Sequence, residues 1–442
     1  MRVNNLLVAL SITVALFVAA CSSGSGSVAP AVGVLSGTVT AGNPAAALAD
    51  VSVIVFDAST NAPAASSVLT DSAGNYSFNL NAGSYYVKLY KQGYDPVPSS
   101  ALLTPVPLTV ASGTTTSNNV LMTASVVANS GWISGKVTSG ASGVGGVLVA
   151  AEAAGVAYTS FTDSVGNYAI YNVPAASYNV KAYIGGYSSD APTASVIANT
   201  GTTGINPTLT AIATGGSVTA TFGALLSATG VTRPSTMVTS LVHPITKETI
   251  PGLSLSMAYA PPMDYVFNGV ADGTYIVRTT YANDTIVVDP DYILKFGEPT
   301  VTVASGAQTA AVSISCTSAV LLTGATTNAM TSTTPVLVAA SPAPMFNWTA
   351  YAGATNGYGI EVMDASTGTI VWGGIGNSGG TLTINVPVAA GATSVTYAGP
   401  ALTVGKTYRW RIYASASTPN LGPGTWKLIS MSEDQMGLIT IQ

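Results

Sequence analysis

The chain has 442 residues, more than one sandwich or bundle needs, and its length alone points to about three domains. Only 7% of residues are charged, against about 25% in an ordinary soluble domain, while 48% are hydrophobic and 46 Gly and 24 Pro supply more turns than long helices tolerate. A net charge of −5 without a basic block excludes an ordinary nucleic-acid reader, and one His with two Cys leaves little for a transition-metal, thiol or imidazole enzyme.

The chain opens with a short positive region, Met1-Arg2, and a mostly apolar stretch from Leu6 to Ala20. This stretch is too short for a comfortable membrane span and suits a secretory signal. It ends in Val18-Ala19-Ala20-Cys21, followed by Ser22-Ser23-Gly24-Ser25-Gly26-Ser27. That pattern resembles the bacterial lipoprotein lipobox. The resemblance implies that Cys21 becomes a lipidated mature N-terminus and that the membrane is a partner through this anchor. Two or more acyl chains, each methylene contributing about 0.8 kcal/mol, hold such a protein stably. The Gly/Ser run is a flexible tether over residues 21–33. Ser22 directly after the Cys implies sorting to the outer membrane of the cell envelope.

Two motif sets then recur in the same order. Val34-Leu35-Ser36-Gly37-Thr38-Val39-Thr40 matches Trp132-Ile133-Ser134-Gly135-Lys136-Val137-Thr138, and Thr70-Asp71-Ser72-Ala73-Gly74-Asn75-Tyr76 matches Thr162-Asp163-Ser164-Val165-Gly166-Asn167-Tyr168. Ser84-Tyr85-Tyr86-Val87-Lys88 matches Ser177-Tyr178-Asn179-Val180-Lys181, and Gly93-Tyr94 matches Gly186-Tyr187. A decayed third copy shows at Tyr265-Val266-Phe267 and Gly273-Thr274-Tyr275-Ile276-Val277-Arg278, without the Asp-Ser-x-Gly-Asn turn. Tyr76 and Phe78 alternate with polar residues, and Tyr85, Val87 and Leu89 alternate with Tyr86, Lys88 and Tyr90. Period two with one apolar face predicts half-buried antiparallel strands. Asp71 and Asp163 are predicted to bond their own backbone, beside a Gly that accepts positive φ.

The Thr-Asp-x-x-Gly-x-Tyr-x-Phe, Gly-x-Tyr-x-Val and Gly-Tyr pattern resembles the carboxypeptidase regulatory-like domain, a transthyretin-like or Cna-B-like seven-stranded sandwich. The resemblance places sandwiches at residues 34–124 and 131–211 and a degenerate one at 215–318. It implies an accessory fold, without a catalytic role. From about residue 335 the character changes. Pro344-x-Phe346-x-Trp348, Tyr358-x-Ile360-x-Val362 and Leu402-x-x-Gly405-x-x-Tyr408-x-Trp410-x-Ile412 resemble a fibronectin type III domain over 335–442, with Tyr408 as its tyrosine corner. Arg409 and Arg411 are then expected to point outward into solvent. The predicted fold class is all-β, a string of tandem seven-stranded β-sandwiches.

Chemistry is sparse along this chain. His243 precedes Pro244 with no nucleophile elbow near, so it reads as structural, and no catalytic residue, cofactor or metal site is assigned. The densest acidic stretch, Asp284, Asp289, Asp291 and Glu298, lacks a calcium-loop pattern. Lys136 and Glu152 raise an internal isopeptide of the Cna-B type, which the first copy does not support because Thr38 stands where Lys136 does. Cys316 alternates with Val312 and Ile314 and reads as a small core hydrophobe without a disulfide.

Tyr outnumbers Phe 21 to 8, and Tyr90, Tyr94, Tyr183, Tyr187 and Tyr281 lie at or beyond the strand ends. Tyr94 and Tyr187 are therefore either fold signatures closing a sandwich end or rings that stack on sugars. Trp426 reads as core before ligand platform. The expected function is a non-enzymatic envelope lipoprotein that presents sandwich modules for adhesion, scaffolding or surface binding, with polysaccharide or an envelope protein as partner. The alternative is a carbohydrate-binding lipoprotein accessory to secreted polysaccharide-degrading enzymes.

Overall fold

The computed structural model describes residues 32–442 apart from 43, 99–106, 126, 128, 213–215, 223–236, 258–262, 282–284, 309–311, 331–333, 366–367, 419–423 and 434–435. The fold is all-β with one helix, Pro290–Phe296, among these residues. Cys21 and Asp284 lie outside them.

Three successive segments repeat one strand arrangement. In the first, Gly33–Ala41 pairs antiparallel with Asn75–Leu80 and parallel with Thr115–Ser117, while a facing sheet runs Val68–Leu69, Ser52–Asp57, Gly83–Tyr90, Leu108–Val110. In the second, Ser130–Lys136 lies between Asn167–Pro174 and Gly201–Thr202, facing Val156–Phe161, Leu148–Ala153, Ser177–Tyr183 and Thr193–Ser195. In the third, Gly216–Phe222 lies between Met263–Val270 and Val312–Ile314, facing Thr249–Met257, Met237–Val242, Gly273–Tyr281 and Thr300–Ala304.

Local chemistry repeats with the topology. The Asp71 carboxylate accepts the amides of Ala73 and Asn75 at 2.9 and 2.8 Å, and that of Asp163 accepts Val165 and Asn167 at 3.0 and 2.8 Å. Gly74 and Gly166 follow at φ +77° and +91°, which only glycine adopts without strain. The hydroxyls of Tyr85, Tyr178 and Tyr275 each donate to the carbonyl four residues earlier, on Asn81, Pro174 and Ala271. Each ring thus fills a core while its polar end ties down the preceding turn.

A last sandwich orders Val336–Val338, Leu438–Ile441, Thr407–Ser417, Gly357–Asp364 and Ile370–Gly373 in its larger sheet. Phe346, Trp348, Tyr358, Trp410 and Ile412 are buried between this sheet and a smaller one. Thr403 donates its amide to the Tyr408 hydroxyl at 3.0 Å, a corner contact across five residues. The smaller sheet pairs Leu322–Thr323 with Met345–Trp348, so this module starts upstream of residue 335. Cys316 is buried, but the chain changes sheets at Ser315: Val312–Ile314 and Cys316–Ser318 pair with different partners, rather than forming one continuous strand.

The string folds back on itself. Strand Ser52–Asp57 is buried on both faces. Val53, Val55, Tyr85, Val87 and Leu89 face the first module's own core, while Ile54, Phe56 and Tyr86 join one apolar cluster with Leu148 and Phe161 of the second module and the core of the third. The half-buried reading of this sheet is thereby corrected, since its second face is sealed by neighbouring modules. Phe56 stacks on Tyr86 with centroids 5.1 Å apart and meets Phe161 edge-on at 4.9 Å.

Lys88 shares that outward face. Its ammonium pairs with Glu248 of the third module and sits 5.2 and 5.5 Å from the ring centroids of Phe56 and Phe161. Each fully buried apolar side chain contributes about 1.5–3 kcal/mol. A buried ion pair is close to neutral against an apolar pair of similar shape. The rings therefore supply the adhesion between modules, and the ion pair fixes which strands meet. Lys88→Ala, leaving Glu248 buried without its cation, is expected to cost about 3–5 kcal/mol, whereas the double change Lys88→Met with Glu248→Leu stays near wild type. Urea midpoints of the single and double variants check this, and equal losses would refute the division of labour.

Candidate functional site

Two loops that sequence reasoning marked, those of Gly93-Tyr94 and Gly186-Tyr187, lie at contacts between modules. The Gln92-Gly93-Tyr94 loop of the first module grips Asn172 of the second. Gly93 donates its amide to Asn172 Oδ1 at 2.8 Å, Asn172 N donates to Gln92 Oε1 at 2.8 Å, and Asn172 Nδ2 donates to the Tyr94 carbonyl at 2.6 Å. The corresponding loop of the second module docks on the third: Gly186 N reaches the Gly269 carbonyl and Gly185 N the Pro251 carbonyl, both at 2.8 Å.

Asn172 and Gly269 occupy equivalent places. Each lies where the pairing with the module's first strand slips by one residue, and each has positive φ, +55° and +69°. A bulge bends the strand and turns backbone groups outward that a regular ladder would consume. In the second module those outward groups, with the Asn172 amide, receive the loop; in the third, the bare glycine lets the loop backbone approach. A Cβ built on Gly269 would lie 3.0 Å from Gly186 Cα.

Tyr94 and Tyr187 follow these docking glycines. Both rings are half-buried, packed against the cores of the first and second modules respectively. Tyr90 and Tyr183 lie in the shared inter-module cluster. The side chain of Tyr281 is outside the described residues.

A second polar joint lies between modules two and three. His243 is buried, its Nε2 3.2 Å from Glu152 Oε1, and its Nδ1 receives the Thr246 amide at 3.2 Å. The amide donor on Nδ1 assigns the ring proton to Nε2, which donates to Glu152. Tyr183 also donates to Glu152 and packs edge-on to His243 at 5.1 Å. Lys181 sits over the Tyr183 ring at 5.1 Å. Burial opposes the Glu152 charge, but the bonds from His243 and Tyr183 and the nearby Lys181 ammonium outweigh it and hold the carboxyl below its ordinary range. Burial, and then the bond to Glu152, push the Tyr183 phenol up. Lys136, by contrast, is exposed on Ser130–Lys136, and Glu152 is occupied by His243 and Tyr183.

Two residues of the acidic stretch serve the helix. Asp289 caps it, accepting the Asp291 amide at 3.0 Å. Asp291 pairs with Lys295 at 2.8 Å and accepts the Leu428 amide at 2.9 Å, joining the third module to the last. Glu298 takes two bonds from Arg278, at 2.5 and 2.7 Å. Among the described residues no three His, Cys, Asp or Glu side chains are grouped to hold a metal.

Arg409 corrects the outward expectation for its strand. It is buried and Arg411 half-buried, both flanking Glu361, whose carboxyl is pushed up by burial against the pull of Arg411 and Arg409. Their face is sealed because Tyr413, Leu428, Met431 and Leu382 pack there against Val287 of the third module and Ala319 just after it, with Trp426 at the edge.

Residues 34–123 match the carboxypeptidase regulatory-like domain family. No curated protein is significantly similar to the chain in sequence. Among solved structures, the Bacillus anthracis TIE protein aligns at 14% identity over 65% of this chain and 51% of its own, with TM-score 0.17. BcpA, the major pilin subunit of Bacillus cereus, aligns at 12% identity over 65% and 99%, with TM-score 0.17, and a streptococcal ancillary pilin at 12% over 64% and 99%, with TM-score 0.20. The chain spans about half the length of the TIE protein. Superpositions at these scores do not establish a shared arrangement of modules.

Two outcomes follow from the joints. Glu152 has a folded pKa below its unfolded value, so its contribution is complete above the ordinary Glu range of about 4.3 and is lost as pH falls through the lower folded value. The stability difference between wild type and Glu152→Gln, measured by urea titration, should be present at neutral pH and vanish in acid well below the ordinary Glu range. Gly269→Ala forces a methyl to left-handed φ against Gly186, a cost of about 1–2 kcal/mol from φ alone. Hydrogen exchange should quicken at Gly185, Gly186 and Ile212, while the amides of Asn75–Leu80 in the first module stay unchanged.

Proposed function

We propose that this protein is a non-enzymatic, lipid-anchored envelope protein whose sandwiches form one stiff body that holds a binding face away from the membrane. The observation that carries this reading is the repeated docking of a Gly-centred loop onto a strand bulge of the next module, reinforced by the Phe56–Tyr86–Phe161 cluster. Freely hinged modules would need neither buried joints nor an ion pair reaching from residue 88 to residue 248. In this reading the second and third segments, 131–211 and 215–318, are further carboxypeptidase regulatory-like modules and the last is fibronectin III-like. Their role is scaffolding or adhesion at the cell surface.

The anchor rests on Val18-Ala19-Ala20-Cys21 and the charge-free run after it. Cys21→Ala in the expressing cell is expected to abolish acyl labelling and to move the protein from the membrane pellet into the soluble fraction. Retention of the Cys21→Ala protein in the pellet would overturn the lipid-anchor reading.

A further inference from the structure

The helix Pro290–Phe296 carries a feature that neither the module cores nor the joints use. Tyr292 and Phe296, four residues apart, share its outer face with ring centroids 5.3 Å apart and planes inclined at 52°. Phe296 is 71% exposed and Tyr292 45%, the former being the most exposed large hydrophobic side chain among the described residues.

The helix beneath them is held fast. Asp289 caps its start, Asp291 ties it to Lys295 and Leu428, Leu294 packs into the junction with the last module, and Asn377 Nδ2 donates to the Leu294 carbonyl at 2.5 Å. A seven-residue helix has little stability of its own. It persists here because these anchors replace the missing turns, so the two rings stand on a rigid base, and a ligand meeting them loses little to ordering the site.

Three observations select the ligand. The nearby carboxylates are compensated: Asp291 by Lys295, Asp289 by the helix amides and by the field of exposed Lys427, Glu298 by Arg278. A cationic partner finds no uncompensated carboxylate among these, and the exposed cation beside them, Lys427, faces Asp289. Two aromatic rings offer at most about 500 Å², well short of the roughly 800 Å² per partner of a stable protein interface, so a second copy or a folded protein is a poor fit. Finally, the hairpin Ile375–Ser378 and Thr381–Ile384, bonded to the helix backbone through Asn377, carries exposed Ser378 and Thr381 hydroxyls on the module that adjoins the helix. Exposed ring faces on a surface whose neighbouring hairpin offers neutral hydroxyls complement a molecule with both apolar faces and equatorial hydroxyls.

We propose that Tyr292 and Phe296 form a stacking platform for a neutral polysaccharide chain, with a sugar ring lying on the solvent-exposed side of the ring pair. This site is separate from Tyr94 and Tyr187, whose rings pack into cores.

The test uses the full chain carrying Cys21→Ala, so that lipid does not sediment it, mixed with insoluble cellulose, chitin, β-1,3-glucan and mannan. At least one of these is expected to retain it, unchanged in 1 M NaCl, with a loss of tenfold or more in Tyr292→Ala/Phe296→Ala and recovery in Phe296→Trp. Both side chains are exposed, so the melting temperature should move little, and Val404→Ala, an exposed apolar residue outside the platform, should keep its retention. No retention of the parent on any of the four, equal retention of the double variant, or binding abolished by salt would each overturn the proposal.

Discussion

The outward face of strands Ser52–Asp57 and Gly83–Tyr90 sets the arrangement of the first three modules. A sandwich sheet ordinarily buries one face and wets the other. Here the second face carries Ile54, Phe56 and Tyr86, which would be costly to leave in water, and they are sealed by Leu148, Phe161 and the third module's core. Three sandwiches meeting at one apolar cluster cannot swing independently without exposing it. Lys88 and Glu248 lie within that cluster as a buried pair, giving direction to a contact that apolar packing alone would leave free to slide.

The joints between successive modules show how one solution was used twice with different atoms. In the first joint the side-chain amide of Asn172 does the binding; in the second, Gly269 brings two backbones together. Both depend on a positive-φ residue at a bulge, where asparagine and glycine are the residues that pay least. The junction to the last module abandons this device. Its helix and Asp291 carboxylate take over, which is consistent with the last module having a different strand order and core.

The repeat units were legible in the sequence because their determinants are local. The Asp71 and Asp163 turns, their glycines and the Tyr85, Tyr178 and Tyr275 hydroxyl bonds all act within four residues, so motif spacing alone exposes them. The associations between modules were not legible. Lys88 in an alternating strand looks like a solvated lysine, and nothing near it names Glu248, 160 residues away. Arg409 misled for the same reason, since its cover comes from elements distant in the chain. Asn172 and Gly269 left a faint signal, a polar residue and a glycine at corresponding ends of otherwise apolar strands, but a bulge is visible only against its partner strand.

The scarcity of charge follows from the same architecture. Lys88, Glu248, Arg278, Glu298, Asp291, Lys295, Asp364, Arg409 and Glu361 all have side chains buried or largely buried in pairs and networks, most of them where modules or strand layers meet. These nine of the chain's few charges fix internal geometry, and the remaining ones are scattered over a surface of mainly Ser, Thr, Asn, Gly and small apolar groups. Such a surface gives little long-range steering and depends little on ionic strength. Recognition by it has to come from shape, hydroxyl bonding and ring stacking at close range. A rigid body suits that kind of recognition, because weak short-range contacts yield useful affinity only when the groups making them are already in place.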